Sequence, residues 1–252
     1  MLIDTHAHLN DNRYSTEKVE EIVSSLFLNN IEKVITIGYD TESSFKSVEL
    51  SEKYDNVYAV VGIHPSNPEE DTNFLEDLSK HKKVVAIGEI GLDYHYPNFN
   101  KELQIQTFIK QIKLAYKLKK PIVIHLRDAY EDMLNILKEY KDYLKYGAVV
   151  HCYSGSLEYA KELLKLGLYF SFTGVITFKN AKKSLEVIEF LPLDRIMIET
   201  DCPYLSPEPY RNVINEPKFV NLVFNKICEI KKLKKETLTK ILRENTRNFY
   251  KI

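Results

Sequence analysis

Six side chains able to bind a divalent cation follow, one after another, short hydrophobic runs of the chain: His6 and His8, Glu89, His125, His151 and Asp201. Four imidazoles and two carboxylates are the donors that two cations need. In Asp4-Thr5-His6-Ala7-His8 the two histidines are two residues apart, so extended backbone points both the same way and they can share one ion. Such a pair alone is more often a surface or hydrogen-bonded pair than a ligand set. Glu89, in Gly88-Glu89-Ile90-Gly91-Leu92-Asp93, offers two oxygens, one for each of two ions; its plainer reading is a turn cap or a partner for a lysine. His125 and His151 would complete the second ion, or else are core histidines bonded to backbone carbonyls. Asp201 closes the set, placed to ligate an ion and to accept the proton of an attacking water.

Only a fold that gathers many strand ends at one face can unite groups so far apart in the chain. A parallel (β/α)₈ TIM barrel does this and carries its chemistry at the strand C-termini. The sequence supports eight β-rich runs alternating with helical spacing: Leu2–Thr5, Lys33–Ile37, Val57–Val61, Val84–Gly88, Ile122–Ile124, Ala148–Val150, Tyr169–Phe172 and Arg195–Glu199. Several are almost wholly apolar, as strands covered on both faces must be. The clearest helical stripe is Ile105, Phe108, Ile109, Ile112 and Ala115, with Lys110, Gln111, Lys113 and Lys117 largely off it. Pro121 ends that helix, and another runs from the cap Ser156 to the stop Gly167. Two long polar loops, Pro65–Asn73 and Cys202–Asn215, fall at the catalytic end of such a barrel.

The expectation is one domain over residues 1–252, with 44% hydrophobic residues for its core. Lys plus Arg number 35 against 36 for Asp plus Glu, so a nucleic-acid substrate would need a local basic site rather than a general attraction. Cys152, Cys202 and Cys228 fit neither a disulfide framework nor a zinc ribbon, which favours a reducing compartment. No apolar run approaches the ~20 residues of a membrane span, and no leader pattern opens the chain, so the expected location is the cytoplasm, without membrane attachment. The lysine clusters Lys117, Lys119, Lys120 and Lys231, Lys232, Lys234, Lys235 end helices, where cations complement the dipole, and read as solvated termini.

The motifs resemble those of the TatD family of metal-dependent hydrolases in the amidohydrolase superfamily: IDTHAHLN at 3–10, VGIHP at 61–65, GEIGLDY at 88–94, PIVIHLRDA at 121–129, HCYSGS at 151–156, ETDCPYLSP at 199–207 and NEP at 215–217. They lie in family order over nearly the whole chain. The resemblance implies a (β/α)₈ barrel, two divalent ions (Mg, Mn or Zn) and phosphodiesterase action on DNA, often as a 3′→5′ exonuclease. It would assign His6, His8 and Asp201 to one ion, His125 and His151 to the other, and Glu89 to both. One departure is Tyr210-Arg211-Asn212-Val213-Ile214, where the family tends to place a short basic stretch before NEP.

Two ions sharing Glu89 would acidify a water for attack on phosphorus. Arg127, two residues past His125, has the planar fork that suits a phosphate. His64 is expected to contact a phosphate or protonate the leaving oxygen, or to hold the Gly62-Ile63-His64-Pro65 turn. Tyr153 could stack a base, although packing is its commoner use. Asp93 reads as fixing a turn or orienting a ligand. Cys152 and Cys202, each one position past a ligand, should face away where the backbone is extended. Three functions therefore stand open: a deoxyribonuclease acting on single-stranded or frayed DNA, an ester or amide hydrolase such as a D-aminoacyl-tRNA deacylase, and a metal-binding protein without turnover. No obligate protein partner can be inferred.

Overall fold

The computed structural model describes residues 1–252. Its strands are β1 (Leu2–Ala7), β2 (Ile31–Ile37), β3 (Val57–Val61), β4 (Val84–Asp93), β5 (Ile122–Arg127), β6 (Ala148–Val150), β7 (Tyr169–Phe172) and β8 (Ile196–Ile198). They pair in parallel, in chain order, as a (β/α)₈ TIM barrel. The helices between and after them are α1 (Thr16–Ser25), α2 (Thr41–Lys53), α3 (Phe74–Leu78), α4 (Lys101–Leu118), α5 (Tyr130–Glu139), α6 (Leu157–Lys165), α7 (Lys182–Phe190), α8 (Val220–Lys231) and α9 (Lys235–Tyr250). None is long and apolar enough to cross a membrane.

Alternation along the strands splits the core in two. Ile35, Ile37, Val60, Val123, Val149 and Met197 form one buried cluster with Phe249 and Tyr250 of α9, while their neighbours Val34, Val61, Ile122, Ile124, Val150 and Ile196 join a second, larger cluster with the helices. That is the signature of an inner and an outer face, both dry. The ring is stitched between β1 and the segment after β8: His8 N–H donates to the Cys202 carbonyl at 2.7 Å and Asp201 N–H to the His6 carbonyl at 2.8 Å. The closure thus sets Asp201 beside both histidines of β1.

The strands at 57–61, 148–150 and 169–172 have the expected bounds, but β1, β4 and β5 run further toward the mouth. Glu89 and His125 therefore lie within strands rather than after them; Glu89 N–H donates to the Gly38 carbonyl at 2.9 Å, and His125 pairs with Gly91 in the β4–β5 ladder. Ser156 caps α6 by accepting the Tyr159 N–H, and Gly167 follows with φ +81°, a left-handed conformation that favours glycine.

The expected face of α4 needs correction. Gln111 is fully buried and Gln104 and Thr107 are buried, whereas Ile105 and Ile109 are only partly so. Each glutamine clasps one residue of the mouth through both of its amide groups. Gln104 Oε1 accepts the Asp93 N–H at 2.9 Å and its Nε2 donates to the Asp93 carbonyl at 2.9 Å. Two turns on, Gln111 does the same to Ile63, at 2.8 and 3.0 Å. These polar side chains are buried because they satisfy backbone groups where β3 and β4 deliver His64 and Asp93. Gln111→Ala would strand both groups of Ile63, costing about 2–4 kcal/mol. We expect the melting temperature to fall by roughly 5–10 °C; an unchanged melt would show that Ile63 does not depend on this clasp.

Candidate metal centre

All six expected ligands meet at the C-terminal mouth. Glu89 sits at the centre: Oε1 lies 2.8 Å from His125 Nδ1 and 2.7 Å from His151 Nε2, and Oε2 lies 3.3 Å from His6 Nε2. Asp201 Oδ1 lies 3.3 Å from His8 Nε2 and 3.6 Å from His6 Nε2. Glu89, His6, His8 and His151 are buried, and Asp201 is open only to the cavity above them. His6, His8 and Asp201 form one group of donors close enough to hold an ion, and His6, Glu89 and His151 another.

The tautomers decide what this cluster can hold. A carbonyl only accepts, so the 3.0 Å contact of His8 Nδ1 with the Ile37 carbonyl puts a proton on Nδ1 and leaves a lone pair on Nε2. Likewise His125 Nε2 donates to Asp93 Oδ2 at 2.9 Å, leaving a lone pair on Nδ1. These lone pairs face other nitrogens at 3.3 Å, His6 Nε2 and His151 Nε2 respectively, and the Glu89 and Asp201 oxygens lie among them. Two imidazole lone pairs directed inward, two further imidazoles whose buried Nδ1 atoms lack a hydrogen-bond partner, and two carboxylates are the donors a divalent ion takes, so the set fits divalent metal.

Titration behaviour agrees. Burial pushes the Glu89 carboxyl up, but His151 and the hydrogen bonds that His125, His151 and His6 donate when protonated outweigh it and hold the group well below its usual range. Burial opposes charge on His151, yet Glu89 and Glu199 raise its pKa well above the ordinary imidazole value. Asp201 is pushed up by burial and brought below the usual carboxylate value by His8 and His6. Each such imidazole lone pair attracts a proton or, in competition with it, a metal ion.

His64 differs. The Ser66 N–H donates to its Nδ1 at 3.0 Å, so Nε2 carries the proton; that atom lies 3.6 Å from Glu89 Oε1. Burial, reinforced by His125, lowers its pKa to about 3. His64 is a neutral N–H donor aimed into the cavity. Arg127 is exposed on the rim, its Nη1 3.4 Å from the Tyr96 hydroxyl.

Two expectations fail. Tyr153 is 3% exposed, edge-on to Phe170, with its hydroxyl donating to the Ser156 carbonyl at 2.8 Å, so it cannot offer a face to a base. Cys152 does not face away: its φ of +45° breaks the strand alternation and turns it into the cavity wall. Burial pushes its thiol up to about 12, so it is no thiolate. Cys202 is fully buried, as expected.

Two carboxylates escaped the sequence reading. Glu199, 1% exposed, accepts the Cys152 N–H at 2.7 Å and lies 3.5 Å from His151 Nδ1. Asp4, fully buried, accepts from the Thr200 hydroxyl and N–H and from the His6 N–H, tying β1 to the Asp201 turn; burial nevertheless lifts its pKa to about 8. Both stand two residues before a proposed ligand, a spacing that on extended backbone could have disclosed them.

The cavity above the cluster has a volume of about 580 Å³ and is lined by Tyr39, His64, Tyr96, Arg127, Tyr204 and Leu205 along with five of the six expected ligands, all but His6. A barrel with such a donor set at its mouth is the architecture of a metal-dependent hydrolase. The comparisons agree. The profile of the family described as TatD related DNase matches residues 3–251. The uncharacterized metal-dependent hydrolase YabD of Bacillus subtilis (strain 168) is 43% identical over 256 residues, covering all of both chains. The uncharacterized metal-dependent hydrolase YcfH of Escherichia coli (strain K12) is 34% identical, over all of this chain and 96% of that one. A crystal structure of YJJV, a TatD homologue from Escherichia coli K12, superposes with a TM-score of 0.93 at 29% identity, over 100% of this chain and 98% of the other. The chain belongs to the TatD family of metal-dependent hydrolases.

Asp93 fixes His125 in the tautomer that keeps Nδ1 free. Asp93→Asn, able to present N–H to the same nitrogen, should weaken divalent-metal binding by about 10–100-fold. Metal titration by calorimetry checks this, and wild-type affinity would remove Asp93 from that role.

Proposed function

We propose that the protein is a metal-dependent deoxyribonuclease that hydrolyses phosphodiester bonds of DNA, as a 3′→5′ exonuclease on single-stranded or frayed ends. The observation that carries this is the combination, over one concave cavity, of a hydrolytic donor cluster with two N–H donors, Arg127 and His64, suited to phosphate oxygens. Intact duplex does not fit a recess of about 580 Å³, whereas a strand end does.

His6, His8 and Asp201 would hold one divalent ion, His125 and His151 a second, and Glu89 both. When bound, the ions supply Lewis acidity, acidifying a water and offsetting charge on the phosphate. Asp201 accepts the proton of the attacking water through the carboxylate that opens on the cavity. His64 holds a phosphate oxygen through Nε2–H. With its pKa lowered to about 3 the ring is neutral, which suits it to donate to phosphate rather than to protonate the leaving oxygen. Arg127, free of any carboxylate partner, grips the phosphate from the rim. Asp93, the Ile37 carbonyl and Glu199 keep His125, His8 and His151 aimed inward.

The direct test offers the protein a 3′-labelled DNA strand and, separately, D-aminoacyl transfer RNA, each with and without chelator. Chelator-sensitive release of the DNA label is expected; deacylation alone would instead make it an ester hydrolase, and no turnover of either would contradict the nuclease reading. Asp201→Asn should keep the fold and lose about 10²–10⁴-fold in turnover. His64→Gln, which retains an N–H donor, should keep more activity than His64→Ala, which we expect to lose about 10²-fold. Equal losses would deny His64 its donor role.

A further inference from the structure

The expected base-stacking residue, Tyr153, is walled into the core, but another tyrosine stands where a base could reach it. Tyr204 follows Asp201 by three residues in the loop after β8 and is 42% exposed. It lines the cavity of the metal cluster, with its ring edge-on to that of His8 at a centroid distance of 5.8 Å.

Its surroundings are built. The Tyr204 hydroxyl donates to Asp11 Oδ2 at 3.0 Å. Asp11, itself buried, accepts two parallel bonds from the Arg13 guanidinium, each of 2.9 Å. The guanidinium in turn lies over the Tyr204 ring, 3.9 Å from its centroid. One face of the ring is thus occupied by a cation and its hydroxyl is tied down, which fixes the ring's plane while the remainder opens on the cavity. Arg13 also lines a second groove, of about 840 Å³. A tyrosine that merely packs has no need of such a clamp.

Tyr96, also lining the cavity, is 62% exposed, with a 3.4 Å contact to Arg127, whose guanidinium stands 5.4 Å from its ring, and an edge contact with His95 at 5.2 Å. It lacks an equivalent clamp.

We propose that Tyr204, held by Asp11 and Arg13, is the platform on which a nucleobase of the substrate strand stacks as its phosphate enters the metal site. This rests on the nuclease reading above and deepens it. Every base presents a π-face, so the platform confers affinity for nucleotides without sequence preference.

The test compares binding of two short fluorescein-labelled DNA strands to the metal-loaded protein by anisotropy. Their 3′-terminal linkages are phosphorothioate to slow cleavage, and one strand lacks the bases of its last two 3′ nucleotides. Wild-type protein should prefer the base-bearing strand by about tenfold. Tyr204→Ala should bind the two strands equally, and Tyr204→Phe, which keeps the ring and the Arg13 stack, should retain most of the preference. Unchanged preference in Tyr204→Ala, or no preference in the wild-type protein, overturns the platform. Thermal melts of the variants expose any misfolding, and if the alanine variant fails to fold Tyr204→Leu, which keeps bulk without an aromatic face, takes its place: unchanged preference there also overturns the proposal. Hydrolysis of the unmodified strand by wild-type protein reports separately on the nuclease reading: no cleavage with base preference intact removes that reading and leaves the platform.

Discussion

Four imidazoles and two carboxylates pressed together at the mouth of a barrel need positive charge among them, from protons or from metal. The free lone pairs of His8 Nε2 and His125 Nδ1 each face another imidazole nitrogen at 3.3 Å, with Glu89 between the two halves of the cluster. Burying such donors together without positive charge among them is unfavourable. The rest of the molecule is the apparatus that forces them to stay there.

That apparatus acts on the backbone more than on the side chains. Two hydrogen bonds between the end of β1 and the residues after β8 close the ring, and those same residues carry His6, His8 and Asp201. Asp201 adopts φ +56° at this point, a left-handed conformation disfavoured for a residue with a Cβ. Asp4, accepting from Thr200 and His6, holds the turn that imposes it. Across the mouth, Gln104 and Gln111 of α4 clasp Asp93 and Ile63, which sets the imidazoles of His125 and His64 through their neighbours. A hydrolase needs its groups held to within a fraction of an ångström, and backbone ladders achieve that better than mobile side chains do.

Much of this was legible because each ligand follows an apolar run, and apolar runs in an alternating chain mark barrel strands. The order of the strands, the mouth as the site and the convergence of six residues all follow from that pattern. What escaped depended on local backbone conformation. Cys152 was expected to face away, since alternation holds on extended backbone; φ +45° at that residue removes the premise. Gln111 was set off the apolar stripe of α4 by its chemistry, yet it is buried because Ile63 offers it two hydrogen bonds. Tyr153 and Tyr204 are alike in the sequence, each beside a ligand and a loop. One is enclosed by Phe170 and the other left open against Arg13, and only the folded chain separates them. Glu199 was visible only as part of a motif, because its partner Cys152 lies on a different strand connection.

The central claim is that these donors hold a pair of cations sharing one carboxylate. Anomalous diffraction from crystals grown with Mn²⁺ tests it most directly. We expect two peaks at the barrel mouth, one among His6, His8 and Asp201, the other beside His125 and His151, with Glu89 between them. A single peak, or peaks away from Glu89, would contradict the account.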